Sequence, residues 1–110
     1  MRIYLFPENI SLDAGLGHSP ILSNYLRQIV VNLEIYNWNG KIESIPEKPA
    51  IIRASIRMSC DWAELGKKCQ ELGHFAFSDD KVVLPDGNLS HERLISELEK
   101  FLYKNRIGNN

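Results

Sequence analysis

Apolar and polar residues alternate most cleanly over residues 50–58, where Ile52, Ala54, Ile56 and Met58 interleave with Arg53, Ser55 and Arg57. Side chains of a strand point to opposite faces with a period of two, so this stretch predicts a strand with one packed face and one wet face. The period then changes. Trp62, Leu65, Cys69 and Leu72 fall at offsets of 0, 3, 7 and 10, which is one face of a helix. Asp61 is placed to cap the first turn, with Glu64 three residues on, and Gly73 is placed to stop the helix. Gly66 lies inside it, where glycine costs about 1 kcal/mol against alanine. Its presence there points to a close approach by the sheet.

The other segments arrange themselves around this strand and helix. Residues 2–6, RIYLF, predict a first strand that Pro7 ends, and residues 7–18 predict a long loop with two glycines. Ser19-Pro20 is a helix start. Ile21, Leu22, Tyr25, Leu26, Ile29 and Val30 follow at helical spacing. The β-branched and aromatic run that comes next favours a strand over about 31–37, after a helix over about 20–29. One uninterrupted long helix is the alternative, because Leu33 and Tyr36 extend the same face. Asn39-Gly40 predicts a turn, and residues 41–45 a short hairpin partner. Residues 46–49 then form a linker between two prolines. Beyond Gly73, residues 74–77 and 81–84 predict a hairpin, and Pro85-Asp86-Gly87 a turn. Ser90 is expected to cap a last helix whose stripe is Leu94, Ile95, Leu98, Phe101 and Leu102.

This order predicts an α+β fold, a two-layer sandwich of ferredoxin-like βαββαβ order with an added C-terminal helix. Another α+β sandwich with a long first helix is the alternative. Helices on one face of the sheet would place Trp62, Leu65, Cys69 and Leu72 in one core with Leu94, Leu98 and Phe101. The length of 110 residues fits a single domain over 1–110.

Composition narrows the function classes. Apolar residues make up 44% and charged residues 25%, so a folded globular chain is expected. A formal net charge of −1 gives no field to draw the chain to nucleic acid or to an anionic membrane. The first residues lack a cleavage-site pattern, and no apolar run is long enough to span a bilayer. A cytoplasmic chain with no membrane partner is therefore expected. Cys60 and Cys69 fit neither a zinc knuckle nor a redox pair, and two reduced, slow-reacting thiols are expected.

Candidate chemistry is sparse. Gly15-Leu16-Gly17-His18-Ser19 lies between a strand and a helix start, but neither the dinucleotide fingerprint nor a Walker lysine is present. His18, His74 and His91 have no metal-ligand spacing and fit surface positions at element ends. No catalytic residue, metal site or cofactor is predicted. By elimination the expected function is a small protein-binding module that docks on a partner protein. Its concrete form would be an inhibitor, immunity protein or antitoxin of bacterial or phage type. The expected partner surface is Tyr36, Trp38, Arg53 and Arg57, with the arginines on an open sheet face and the aromatics beside it. The first alternative is an RNA-binding domain that stacks bases on Tyr4 and Phe6. That reading is disfavoured by charge and by a central strand without aromatics. The second alternative is a small histidine-dependent enzyme.

Overall fold

The computed structural model describes residues 2–7, 20–29, 34–55 and 57–105, with side chains described for all of these except 20, 21 and 27–29. Residues 8–19, with His18 and the glycine turn, and Ile56 lie outside the described residues.

Three helices and a six-stranded mixed sheet make up the described chain. The order is β1 (Arg2–Leu5), α1 (Pro20–Ile29), β2 (Glu34–Asn37), a 3-10 turn (Ile42–Ser44), β3 (Ile51–Arg53), α2 (Trp62–Leu72), β4 (Phe75–Ser78), β5 (Lys81–Val83), β6 (Leu89–Ser90) and α3 (Leu94–Lys104). The expected helix over 20–29 is present, and the strand expected over about 31–37 is seen at Glu34–Asn37, residues 30–33 lying outside the described residues; the long-helix alternative falls away.

The sheet runs β2-β1-β3-β4-β5-β6. Its first three neighbour pairs are parallel and its last two antiparallel. This differs from the ferredoxin-like order, and the reason lies in residues 38–50. The expected hairpin partner at 41–45 is the 3-10 turn instead. Among the described residues no antiparallel strand returns beside β2, and the chain crosses back over β1 to start β3 parallel to it. A parallel pair needs a connection of about a dozen residues or more, which this segment supplies.

Both faces of the sheet are covered over its central strands. Ile3, Leu5, Ile51, Phe75, Phe77 and Val82 form one cluster with Leu22 and Leu26 of α1 and Leu94, Leu98 and Phe101 of α3. The alternate residues Ile52, Ala54, Ala76 and Val83 form a second cluster with Leu65 and Cys69 of α2 and with Trp38 and Ile45. The two sets interleave along the same strands, so they lie on opposite faces. The expected single core joining α2 to α3 is thus two cores with the sheet between them. On the first face, α1 and α3 also meet where the Tyr25 hydroxyl donates to Glu99 at 2.9 Å.

The α2 boundaries follow from its end residues. Asp61 Oδ1 accepts from the amides of Ala63 at 3.0 Å and Glu64 at 3.2 Å. Gly73 closes the helix at φ +77°, a left-handed conformation that side chains disfavour. The α3 start is different from the expectation. Ser90 ends β6, and its hydroxyl accepts from the Arg93 amide at 3.2 Å ahead of a helix that begins at Leu94.

Gly66 is explained by contact. A Cβ built there would sit 2.1 Å from the carbonyl oxygen of Leu84, where the chain leaves β5. Backbone on both sides leaves neither partner free to move. Gly66→Ala should therefore lower the urea midpoint, although alanine favours helix by about 1 kcal/mol. A raised midpoint would show that α2 can shift away from the β5–β6 turn.

Candidate functional site

The four residues expected to form a partner surface are separated by the fold. Trp38 is 2% exposed and belongs to the second core. Its indole N–H donates to the Lys41 carbonyl at 3.1 Å, and its ring meets Phe6 edge-on at 6.3 Å. Arg53 is 7% exposed at the end of β3, in register with Leu5 on one side and Phe77 on the other. The open sheet face expected around Arg53 is therefore absent, because α1 and α3 cover that face. Strand β3 also stops at Arg53, so Arg57 does not continue its face. Arg57 is exposed in the following turn, with its amide bonded to the Ser55 hydroxyl at 3.2 Å. Tyr36 remains at the surface, 38% exposed.

Arg53 is a strut between strand ends. Its guanidinium donates to the Phe6 carbonyl, and Asp79 lies close enough to favour its charge. Burial pulls its pKa below the ordinary arginine value, and Asp79 opposes that shift. Nε of Arg53 has no hydrogen-bond partner. Phe6 N donates to Arg53 O at 3.1 Å and Ala54 N to Phe77 O at 2.8 Å. The carboxyl ends of β1, β3 and β4 are thus tied together around one buried arginine.

The histidines and cysteines sit as follows. His74 is half-buried rather than a surface residue. Its Nδ1 accepts from the Ala50 amide at 2.9 Å, and its Nε2 lies 2.7 Å from the Pro46 carbonyl, which fixes the neutral tautomer with the proton on Nε2. His91 is exposed, 3.1 Å from Asp80. Cys60 and Cys69 are free thiols; burial pushes Cys69 up to about 12 and raises Cys60, with Asp61 and Glu64 adding to the latter. Neither is set up as a thiolate near neutral pH. A groove of about 290 Å³ beside β4 and β5 is lined by His74, Glu97, Lys100, Phe101 and Lys104 among others. It holds no buried, unpaired side-chain group to orient a ligand.

Strand β2 is the feature that stands apart. Among the described residues it is the terminal strand of the sheet, and all four of its residues are exposed. Strands of parallel sheets are ordinarily covered on both faces. Ile35 is 48% exposed on the face of Ile3, and Tyr36 is exposed on the face of Tyr4. The Tyr36 ring stacks on Tyr4 at 5.1 Å, and the Arg2 guanidinium carbon lies 5.4 Å from its centroid. Arg2 also pairs with Glu34 at 3.5 Å. The Tyr36 hydroxyl donates to Glu34 at 2.8 Å, which holds that carboxyl below its usual range and the phenol above its own. An amphiphilic cluster of Arg2, Tyr4, Glu34, Ile35 and Tyr36 therefore stands on an open edge. Of these, the expected surface contained Tyr36 alone. Glu34 and Ile35 could have been noticed as two of the four residues in a strand too polar for the inside of a parallel sheet.

Comparison with known proteins finds no similarity: no family model, no curated protein and no solved structure matches the chain. Among the described residues no helix is long and apolar enough to cross a membrane.

Two predictions follow from these placements. Trp38→Ala should cost about 3–5 kcal/mol of folding stability, as truncation of a packed aromatic does. Tyr36→Ala should move the denaturation midpoint far less; equal losses would place Tyr36 in the core. The second concerns pH. Burial lowers the His74 pKa in the folded chain, against the pull of the Pro46 bond. The unfolded chain therefore binds the proton more readily, and stability rises with pH through this window. The contribution is complete above the unfolded value of about 6.5 and is lost as pH falls toward the lower folded pKa. Unfolding free energies measured over this range should fall on acidification, and less steeply in His74→Gln. Identical slopes in both proteins would show that His74 does not carry the effect.

Proposed function

We propose that the chain is a protein-binding module that docks through the open edge of β2. The observation that supports this most directly is a parallel edge strand with Ile35 and Tyr36 exposed on opposite faces. The backbone of Ile35 faces away from β1 on this edge and is available to an added strand, and natural proteins usually blunt such an edge with proline, lysine or a covering loop. Here the sequence Glu34-Ile35-Tyr36-Asn37 contains neither proline nor lysine. Tyrosine and arginine, both present in the cluster, are the residue types enriched where docking energy concentrates. A module of inhibitor, immunity-protein or antitoxin type needs nothing beyond such a surface, because occlusion requires complementarity and no chemistry of its own.

The nucleic-acid reading draws less support from Tyr4 and Phe6. Phe6 packs against Trp38 and directly under Gly40, and the Tyr4 ring is occupied by Tyr36.

A photoreactive benzophenone side chain at position 35 tests the docking reading, with position 68 on the exposed side of α2 as control. Illumination in native lysate should give a protein adduct at 35 and none at 68. Tyr36→Ala should weaken capture by about 2 kcal/mol or more while the chain stays folded. Absence of any adduct at 35, whether with this chain or with another protein, would end the docking reading.

A further inference from the structure

We infer that the partner of β2 is a second copy of this chain, paired antiparallel about a twofold axis that passes beside Ile35 perpendicular to the sheet. This rests on the reading of β2 as a docking edge and names its occupant.

The backbone sets the register. Trp38 N donates to Leu5 O at 2.9 Å, so the N–H of Trp38 faces β1. Backbone groups of successive strand residues point to alternate sides, so Tyr36 also faces β1 and Ile35 faces outward. An antiparallel pair centred on Ile35 lets its N–H and C=O meet those of its own copy, which is a hydrogen-bonded pair. Centring on Tyr36 would oppose groups already turned toward β1. The described strand thus offers a self-pairing register at Ile35.

The side chains suit that register. Opposite residues of an antiparallel pair share a face, and the twofold keeps each face with itself. Ile35 then meets Ile35 of the second copy on the face of α1 and α3. On the other face, Glu34 lies opposite Tyr36 of the second copy, and Tyr36 opposite its Glu34. These are the non-hydrogen-bonded positions, where side chains approach most closely. The hydroxyl–carboxylate bond of 2.8 Å now made within one chain is a pairing that the two copies can exchange. Arg2, 3.5 Å from Glu34, brings a positive charge to each carboxylate. No like charges stand opposite each other.

This self-complementarity is what a twofold contact requires, and it argues for a second copy over a foreign strand. A net charge of −1 leaves little repulsion between copies. Pairing would also cover Ile35, the more exposed of the two apolar residues in β2, with its own equivalent.

Sedimentation of the full chain over a concentration series is the first test. A monomer–dimer equilibrium is expected. Ile35→Lys should weaken it about thirtyfold or more, as expected for a residue at an interface centre. Thermal unfolding at the lowest concentration should be unchanged in that variant, since Ile35 is half-exposed in the single chain. The register is tested by disulfide trapping in a Cys60→Ser background under copper-catalysed air oxidation. Residues of a hydrogen-bonded pair have Cα atoms about 5.5 Å apart, within disulfide reach. Ile35→Cys should therefore trap a covalent dimer. Glu34→Cys should not, because the two copies of residue 34 are displaced along the strands. A chain that stays monomeric and untrapped at every concentration overturns the inference. So does a dimer that survives Ile35→Lys, or one trapped at 34 in place of 35. A monomer that still gives a benzophenone adduct with a different protein overturns self-pairing and leaves the docking reading standing. A monomer with no adduct removes both.

Discussion

The fold depends on β1 having a parallel neighbour on each side. Parallel neighbours cannot be joined by a tight turn, so each pairing demands a crossover. Crossovers of this kind are right-handed in nearly all cases. The chain leaves β1 in one direction to form β2 and returns across it to form β3. Reversing direction with the same hand puts the two connections on opposite faces. Hence α1 lies on the face of Ile3 and Leu5, and residues 38–50 cross the face of Tyr4 and Phe6. Two separate cores follow from that reversal, and so does the burial of β3 on both faces.

The second crossover is the thin one. In place of a helix it offers a 3-10 turn, and it is held down at a few points. Trp38 sinks into the second core and bonds Lys41, Gly40 lies directly on the Phe6 ring, and His74 takes both the Pro46 carbonyl and the Ala50 amide. These ties fasten the segment over β1 and β3. They do not reach the outer half of β2, where among the described residues Tyr36 meets Tyr4, Arg2 and Glu34. The exposure of Tyr36 is thus a consequence of how little chain covers that face, whereas Ile35 is exposed on the face of Ile3.

Local signals were legible in the sequence, and pairing was not. Asp61 and Gly73 marked α2 because capping is a matter of neighbouring residues, and Pro20 marked α1 for the same reason. The switch from helix to strand before Glu34 was readable from side-chain shape. One pairing across a tight turn was the exception, since the hairpin expected at 74–77 and 81–84 is the antiparallel pair β4–β5. What failed were the other inferences about which strand lies beside which. Residues 41–45 resembled a hairpin partner, and that resemblance fixed the wrong sheet order. The alternation across 50–58 was read as one wet face. Strand β3 in fact ends at Arg53, and Met58 reaches the second core from a turn, with its sulfur 3.5 Å from the Ser55 amide. Arg53 looked solvent-facing because arginine usually is. Its burial is made tolerable by a carbonyl at the end of β1 and a carboxylate in the β4–β5 turn, two groups far away in sequence. The candidate site was legible only through Tyr36. Its neighbours Arg2 and Tyr4 come from β1, which lies beside β2 through a register that the pattern of residues does not reveal.

The open edge also bears on how firmly the fold is held. Strand β2 is anchored on one side, by β1, and it is the strand that α1 delivers. Whatever covers its other side binds the folded chain and finds no such edge in the unfolded one. Binding of that kind adds to folding stability by mass action. If the occupant is a second copy, the gain grows with the concentration of the chain itself. The exposure of Ile35 and Tyr36 in the single chain then leaves stability to be gained by pairing, and pairing closes the edge that would otherwise be open to unwanted strands. One contact would extend the sheet, cover Ile35 on one face and Tyr36 on the other, and protect the edge from aggregation.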